Sequence, residues 1–331
     1  MSFALLSLGC GADLARAVAD RLGITPLPVE ERGFEDGEHK IRPLERVRGL
    51  DLYLVQSLYG EPGLSADEKL VRTLFLAAAL RDHGAARVTL VAPYLAYARK
   101  DRRTKTFDPV STRYLAQLVE AVGIVRVVAL DVHNPAAFEN AFRIETVHLE
   151  ARGLFVRHLI ATLADRPLAV VSPDAGGVKR AEALRRALET AIGRPVPLGL
   201  MEKHRSGGVV SGEAFAGEVD GRVALVVDDL VSTGGTMLRC ATGCRARGAV
   251  EVRAVATHGL FTGEAPRVLE DPAITGWLVT DSVPPFRLPE AARARLRVVP
   301  IAPLLAEAIR RLHDGGPLED LASEPVASAE A

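Results

Sequence analysis

Net charge, cysteine, lysine and long apolar runs are all scarce in this chain, and each scarcity excludes something. Acidic and basic residues nearly cancel, 42 Asp and Glu against 41 Lys and Arg, for a formal net charge of −1. A nucleic-acid binder working through a global positive field is therefore not expected, although a local basic pocket for a small anion is still allowed. The three cysteines, Cys10, Cys240 and Cys244, give neither an even count nor a metal-like spacing, so a reducing cytoplasm is the natural expectation. Cys240 and Cys244 stand four apart in a predicted helix, which suits core packing better than chemistry. No apolar run approaches the roughly 20 residues that cross a bilayer. The N-terminus is apolar but has no basic segment, and Asp13 interrupts it early. It reads as a first strand, Phe3 to Leu8, and a helix from about Asp13, rather than a targeting signal. Lysine fills only six of the 41 basic positions, so a lysine inside a candidate site is mildly informative.

What is present suits a globular enzyme. The 331 residues are 48% hydrophobic and 25% charged, enough for about two domains with their own cores. Short apolar runs alternate with helical patterns, which predicts an α/β architecture with parallel sheets. Predicted strands cover 51–55, 87–92, 125–130, 168–171, 223–227 and 250–257. Predicted helices cover 67–81, 112–121, 153–163 and 179–190. A boundary near 145–152 divides the chain into a domain at 1–150 and a second at 151–300. A helical pattern follows at 301–312, and the small, polar, proline-bearing stretch 313–331 reads as a disordered tail.

The most informative stretch is VALVVDDLVSTGGT at 223–236. An unbroken apolar run, Val223 to Val227, suits a parallel strand buried on both faces. Asp228 and Asp229 follow at once, then Ser232, Thr233, Gly234, Gly235 and Thr236 lead into a helical pattern. Glycines let backbone N–H groups close around a phosphate, and the helix N-terminus adds positive potential. Threonine hydroxyls can donate to the phosphate while the acids accept from ribose hydroxyls. An ordinary strand–turn–helix would have little use for paired acids before the glycines.

Other clusters are more ambiguous one by one. Phe34, with Glu35, Asp36 and Glu38 between glycines, could stack on a base and accept its protons, or be a plain acidic turn. Arg99, Lys100, Arg102 and Arg103 follow a strand and suit a polyphosphate, or a solvated basic turn. His133 ends Asp131-Val132-His133 at another strand end; it could meet a nucleotide-borne Mg2+ or a phosphate oxygen, or be structural. Asp174 closes a strand before Gly176 and Gly177, a second anion-binding nest with a carboxylate suited to magnesium. Lys203 and Arg205 open a glycine-rich stretch that could close over a site and meet developing phosphoryl charge, or be a flexible surface loop.

Taken together, these clusters resemble the ribose-phosphate pyrophosphokinase (phosphoribosyl pyrophosphate synthetase) family. The resemblance runs from about residue 3 to 312 and rests on FEDGE at 34–38, YARKDRR at 97–103, DVH at 131–133, VVSPDAGGVKRA at 170–181, KHR at 203–205 and VDDLVSTGGT at 227–236. It implies two type I phosphoribosyltransferase-like domains, the C-terminal helix returning to the first. It also implies a homo-oligomer with its ATP site near a subunit interface, no nucleic-acid or membrane partner, and ATP and ribose 5-phosphate as substrates. Phe34, Asp36, Glu38, Arg99 and Lys100 would serve ATP, and His133 and Asp174 would serve Mg2+. Lys203 and Arg205 would be the catalytic cations, while Asp228, Asp229 and the run Ser232 to Thr236 would hold ribose 5-phosphate. The implied reaction moves the β,γ-diphosphoryl group of MgATP to the sugar's C1 hydroxyl and releases AMP; no general base is nominated.

Three departures mark a divergent branch. Ser232 replaces a third acid, Lys100 replaces a glutamine, and NPAAFENAF after His133 lacks a glutamine-rich pattern. Two other readings share parts of this sequence: a transferase that consumes phosphoribosyl pyrophosphate, and a non-catalytic regulatory subunit that binds it. The first leaves Phe34, Arg99 and His133 without a role, and the second has no use for Lys203 and Arg205.

Overall fold

The computed structural model describes residues 2–206 and 209–322, with the side chains of 202–213 and 322 outside that description. The chain divides into two compact units, one of Met1–Glu150 with Ala302–Leu321 and the other of Ala151–Ile301.

In chain order the first unit contains β1 (Phe3–Leu6), α1 (Ala12–Leu22), β2 (Val29–Gly33), β3 (His39–Pro43), β4 (Asp51–Val55), α2 (Ala66–Asp82), β5 (Arg87–Ala92), α3 (Ser111–Ala121), β6 (Arg126–Leu130), α4 (Pro135–Ala141) and β7 (Glu145–Leu149). Its main sheet is wholly parallel, in the order β1-β4-β5-β6-β7. The central strands β4 and β6 are buried at every position, as the unbroken apolar runs require. The edge strand β7 alternates instead. Helix α2 starts at a capping box: Ser65 Oγ accepts from the Glu68 N–H at 3.1 Å, and the Glu68 carboxylate accepts from the Ser65 N–H at 2.7 Å. The polar segments β2 and β3 pair antiparallel as a separate hairpin, and β3 packs on α2.

The second unit contains α5 (Arg152–Leu163), β8 (Leu168–Ser172), α6 (Val178–Ile192), β9 (Leu198–Ser206), β10 (Val209–Ala216), β11 (Val223–Val231), α7 (Gly235–Arg245), β12 (Glu251–Gly259), α8 (Ala265–Glu270), β13 (Gly276–Thr280), α9 (Glu290–Arg293) and β14 (Leu296–Val299). Its sheet runs β10-β9-β8-β11-β12-β13-β14, and β10 is its antiparallel strand. From β8 the chain moves to β9 on one side, and from β11 to β12 on the other. Strands β8 and β11 therefore flank a topological switch point, where open α/β sheets gather ligands at strand C-terminal ends.

Helix α10 (Ala302–Asp314) belongs to the first unit and packs on α1. It extends past the expected end at 312. His313 on its last turn places Nδ1 3.0 Å from the Asp51 carboxylate, which Arg87 also grips through Nε (3.1 Å) and NH2 (2.6 Å). A 3₁₀ turn at Glu319–Ala322 follows, with Leu321 buried. Residues 323–331, the rest of the expected tail, lie outside the described residues. Among the described residues, no helix is long and apolar enough to cross a membrane.

Candidate functional site

Strand β11 does not stop at Val227 but continues to Val231, carrying both acids inside it. The reason lies in its neighbours. Pairing with β8 ends at Val226 opposite Val171, whereas pairing with β12 continues, with Asp228 opposite Ala256 and Val231 opposite Gly259. The acids thus occupy a stretch of β11 that β12 still supports on one side only. Asp229 is buried, at 3% exposure, and Asp228 is half-buried. Burial and the adjacent Asp229 carboxylate raise the Asp228 carboxyl above the usual carboxylate range, while Arg180 opposes the rise.

The loop after β11 is shaped by one obligatory glycine. Gly234 caps α7 with φ 81°, and a Cβ there would lie 2.7 Å from Val268 Cγ1. Thr233 is exposed, and Thr236 Oγ1 accepts from Arg239 NH2 at 3.3 Å. Ser232 Oγ lies 2.9 Å from Thr262 Oγ1, and the Ser232 carbonyl accepts from the Thr262 N–H at 2.9 Å. Ser232 therefore ties the loop to the segment after β12, a role for which a hydroxyl suffices. Behind it lies a buried polar cluster in which His258 Nδ1 is 2.8 Å from Ser282 Oγ, and the Thr280 hydroxyl donates to the Thr257 carbonyl at 2.7 Å.

On the other side of the switch point, Asp174 follows β8. Its carboxylate accepts from the Gly177 N–H at 3.0 Å, and its carbonyl accepts from Ser172 Oγ at 2.7 Å. A Cβ at Gly177 would lie 2.9 Å from that hydroxyl, so the turn is closed around Ser172. Asp174 itself is exposed. Arg180, on the first turn of α6, links the two loops' elements: its NH1 lies 3.2 Å from Asp228 Oδ1 and 3.6 Å from Asp229 Oδ1. Arg180 stands inside the motif VVSPDAGGVKRA, where its residue type alone does not single it out. A signal was available. A cation on the first turn of a helix opposes the helix dipole, and so asks for acidic company from elsewhere in the fold.

Lys203 and Arg205, expected in a closing loop, have their backbone in β9, paired with Glu213 and Val210 of β10. The hairpin pairing satisfies backbone groups that a free loop would leave to water. Their side chains lie outside the described residues.

In the first unit, the segment Phe34 to Glu38 forms the tip of the β2–β3 hairpin. The Phe34 N–H donates to the Glu38 carbonyl at 2.8 Å, Gly37 turns the chain with φ 91°, and Asp36 Oδ1 accepts from the Glu38 N–H at 3.0 Å. Phe34 is 41% exposed, and the Arg32 guanidinium lies 5.4 Å from its ring centroid. Arg99 is exposed after β5. Lys100 is engaged within its own loop: its ammonium pairs with Asp108 and donates to Thr104 Oγ1 at 3.1 Å. That bond, followed by bonds from Thr104 and Lys105, holds the Asp108 carboxyl well below its usual range. The loop is joined to the one bearing His133, since Asn134 Nδ2 donates to Asp101 Oδ2 at 2.6 Å. Asn134 also caps α4, its Oδ1 accepting from the Ala137 N–H. The structure thus brings Arg99 and His133 into one linked pair of strand-end loops, with Phe34 on a separate hairpin.

Among the described residues, no group of three or more His, Cys, Asp or Glu is arranged to hold a metal ion. His133 and Asp174 are exposed donors, one nitrogen and one carboxylate. Taken singly, each fits a Mg2+ whose other ligands are phosphate oxygens and water, rather than a cage built wholly from protein.

Fold and loops together define an α/β protein with mainly parallel sheets, acid–glycine chemistry at one switch point and cationic strand-end loops in its other unit. Comparison with known proteins narrows this class. Residues 3–123 match the N-terminal domain of ribose phosphate pyrophosphokinase, and residues 210–322 match the phosphoribosyl synthetase-associated domain. A ribose-phosphate pyrophosphokinase of Caldanaerobacter subterraneus is 34% identical over 304 residues, covering 91% of this chain and 92% of its own. One from Gloeobacter violaceus is 35% identical over 312 residues, covering 94% and 90%. The crystal structure of phosphoribosylpyrophosphate synthetase from Mycobacterium smegmatis superposes with a TM-score of 0.85 at 31% identity, covering 96% of this chain and all of that one. The chain belongs to the ribose-phosphate pyrophosphokinase family.

Proposed function

We propose that this protein is a ribose-phosphate diphosphokinase, transferring the β,γ-diphosphoryl group of MgATP to the C1 hydroxyl of ribose 5-phosphate to give phosphoribosyl pyrophosphate and AMP. The observation that carries the reading is the Asp228–Asp229 pair joined to the Ser232–Thr236 loop at the switch point, in a chain whose family relationship spans nearly its full length. In this reading Thr233, Thr236 and the backbone of Gly234 and Gly235 bind the 5-phosphate, and Asp228 and Asp229 accept from the ribose hydroxyls. Phe34 stacks on the adenine with Asp36 and Glu38 nearby, and Arg99 and Lys100 meet the triphosphate. Lys203 and Arg205 stabilise the charge that develops as the C1 oxygen bonds to the β-phosphorus and AMP departs with the α,β-bridging oxygen. Asp174 and His133 would hold the nucleotide's magnesium, which supplies neutralisation of phosphate charge. Much of the rate enhancement then comes from positioning and preorganised charge.

The same reading includes a homo-oligomer with the ATP site near a subunit interface, and a cytoplasmic setting. The free state of Cys10, Cys240 and Cys244 supports a reducing compartment. The test is to incubate the pure protein with ATP, Mg2+ and ribose 5-phosphate and to assay AMP and phosphoribosyl pyrophosphate. AMP appearing only with the sugar, together with phosphoribosyl pyrophosphate, supports the diphosphokinase. Consumption of phosphoribosyl pyrophosphate with a base, or binding without turnover, would replace it with a phosphoribosyltransferase or a regulatory subunit.

A further inference from the structure

Arg180 behaves unlike the other arginines of α6. Arg185 and Arg186 are held by Glu182 and Glu189 of their own helix. Arg180 instead leaves the helix and reaches β11, 48 residues further along the chain, where one NH group lies within 3.6 Å of both acids. It stands on the first turn, where the helix dipole disfavours a cation. The compensation comes from the acids it meets. Asp228 and Asp229 in turn are neighbours in sequence, one buried and one half-buried, and two such carboxylates repel each other unless a cation is present.

We propose that Arg180 is a positioning residue for the sugar: it holds the Asp228 and Asp229 carboxyl groups in place, so that they present acceptors to the ribose hydroxyls. The inference rests on the assignment of these acids to ribose 5-phosphate, and it adds a residue of α6 to that site. A neutral, protonated Asp228 would present a donor where an acceptor is needed, so sugar binding should weaken as pH falls through the range where this carboxyl titrates. Burial and Asp229 push that range upward and Arg180 pulls it down. Removing the guanidinium should move the loss of binding to higher pH. Arg180 reaches the pair from α6, and on β12 His258 stands opposite Leu230 in register, with its Nδ1 bonded to Ser282. In the turn after the adjacent strand β8, Asp174 is bonded to the Gly177 N–H.

The experiment is calorimetric titration of ribose 5-phosphate into the full-length protein between about pH 5.5 and 9, with steady-state kinetics alongside. Arg180→Ala is expected to weaken sugar affinity at neutral pH roughly 10- to 100-fold, as for a lost charge-assisted contact. Its acid limb should move to higher pH, while KM for ATP stays within about threefold. Arg180→Lys should recover most of the affinity and the original limb, whereas Arg180→Gln, uncharged but similar in length, should follow the alanine variant. If Arg180→Ala does not fold, the lysine and glutamine variants decide the matter by the same criterion. Sugar affinity and pH dependence unchanged in Arg180→Gln would overturn the role of Arg180. Failure of the unaltered protein to bind ribose 5-phosphate would overturn the sugar-site reading itself.

Discussion

In the first unit the sheet order β1-β4-β5-β6-β7 follows the chain without reversing, whereas in the second the order reverses between β8 and β11. The consequence is visible in the side chains. The second unit gathers loops from two adjacent strands at one point, where Arg180 meets one buried and one half-buried acid and a glycine–threonine loop follows them. The first unit has no such reversal, and its candidate groups are spread over two strand ends and a hairpin tip, with Lys100 engaged by Asp108 in its own loop. In the proposed reading, one α/β architecture would serve two electrostatic tasks: a compact acid-rich seat for sugar hydroxyls, and a dispersed, cationic surface for a longer anion.

Substitutions on the two sides should separate these tasks. The largest effect is expected from Lys203→Ala, which should lower kcat by roughly 10²- to 10³-fold while the affinities for ATP and sugar change much less, because its proposed contact strengthens in the transition state. Near-normal kcat in single-turnover measurements would remove Lys203 from the mechanism. Asp229→Ala should chiefly weaken ribose 5-phosphate, by about 10- to 100-fold in Kd, with ATP affinity little changed. An unchanged sugar Kd would count against the role of the acid pair.

A smaller effect concerns pH, and it has opposite signs in the two units. Asp51 is deeply buried, which raises its carboxyl, but hydrogen bonds from Arg87 and His313 outweigh that and leave it below its usual value. Its contribution to stability is therefore present above the unfolded carboxylate range, near pH 4, and fades as pH falls further. Asp228 is raised, so its contribution is complete below about pH 4 and is lost as pH climbs through its folded value. Thermal melts of Asp51→Asn should show a deficit at pH 7 that closes in acid. Asp228→Asn should show a relative gain at pH 7 to 8 that disappears below about pH 4; the same sign in both variants would contradict the contrast. The smallest change should come from Lys100→Gln, because the lysine is already engaged by Asp108. KM for ATP is expected to rise by no more than about threefold, and a rise beyond tenfold would show that Lys100 gives up Asp108 to meet the triphosphate, rather than meeting it while still paired.

Much of this arrangement can be read in the sequence, for reasons that differ by element. The buried parallel strands β4, β5, β6, β8 and β11 announce themselves as apolar runs, because both faces are covered. The hairpin strands β2 and β3 do not, since VEERG and HKIRP are polar and their order comes from mutual pairing and from α2. The backbone of Lys203 and Arg205 reads as a loop for the same reason: only the β10 partner makes it a strand. The extension of β11 through its acids depends on β12, and the bond from Arg180 spans 48 residues, so neither has a local signature beyond a cation where a helix prefers acids. Residue types near the chemistry were legible; the long-range partners that set their charge were not.

The most direct test follows the C1 oxygen itself. Ribose 5-phosphate labelled with ¹⁸O at C1 is incubated with MgATP and the protein, and both products are analysed by mass spectrometry. Attack of that oxygen on the β-phosphorus predicts label between sugar and diphosphate in phosphoribosyl pyrophosphate, and none in AMP. Label in AMP, or AMP formed without labelled phosphoribosyl pyrophosphate, would contradict the proposed transfer.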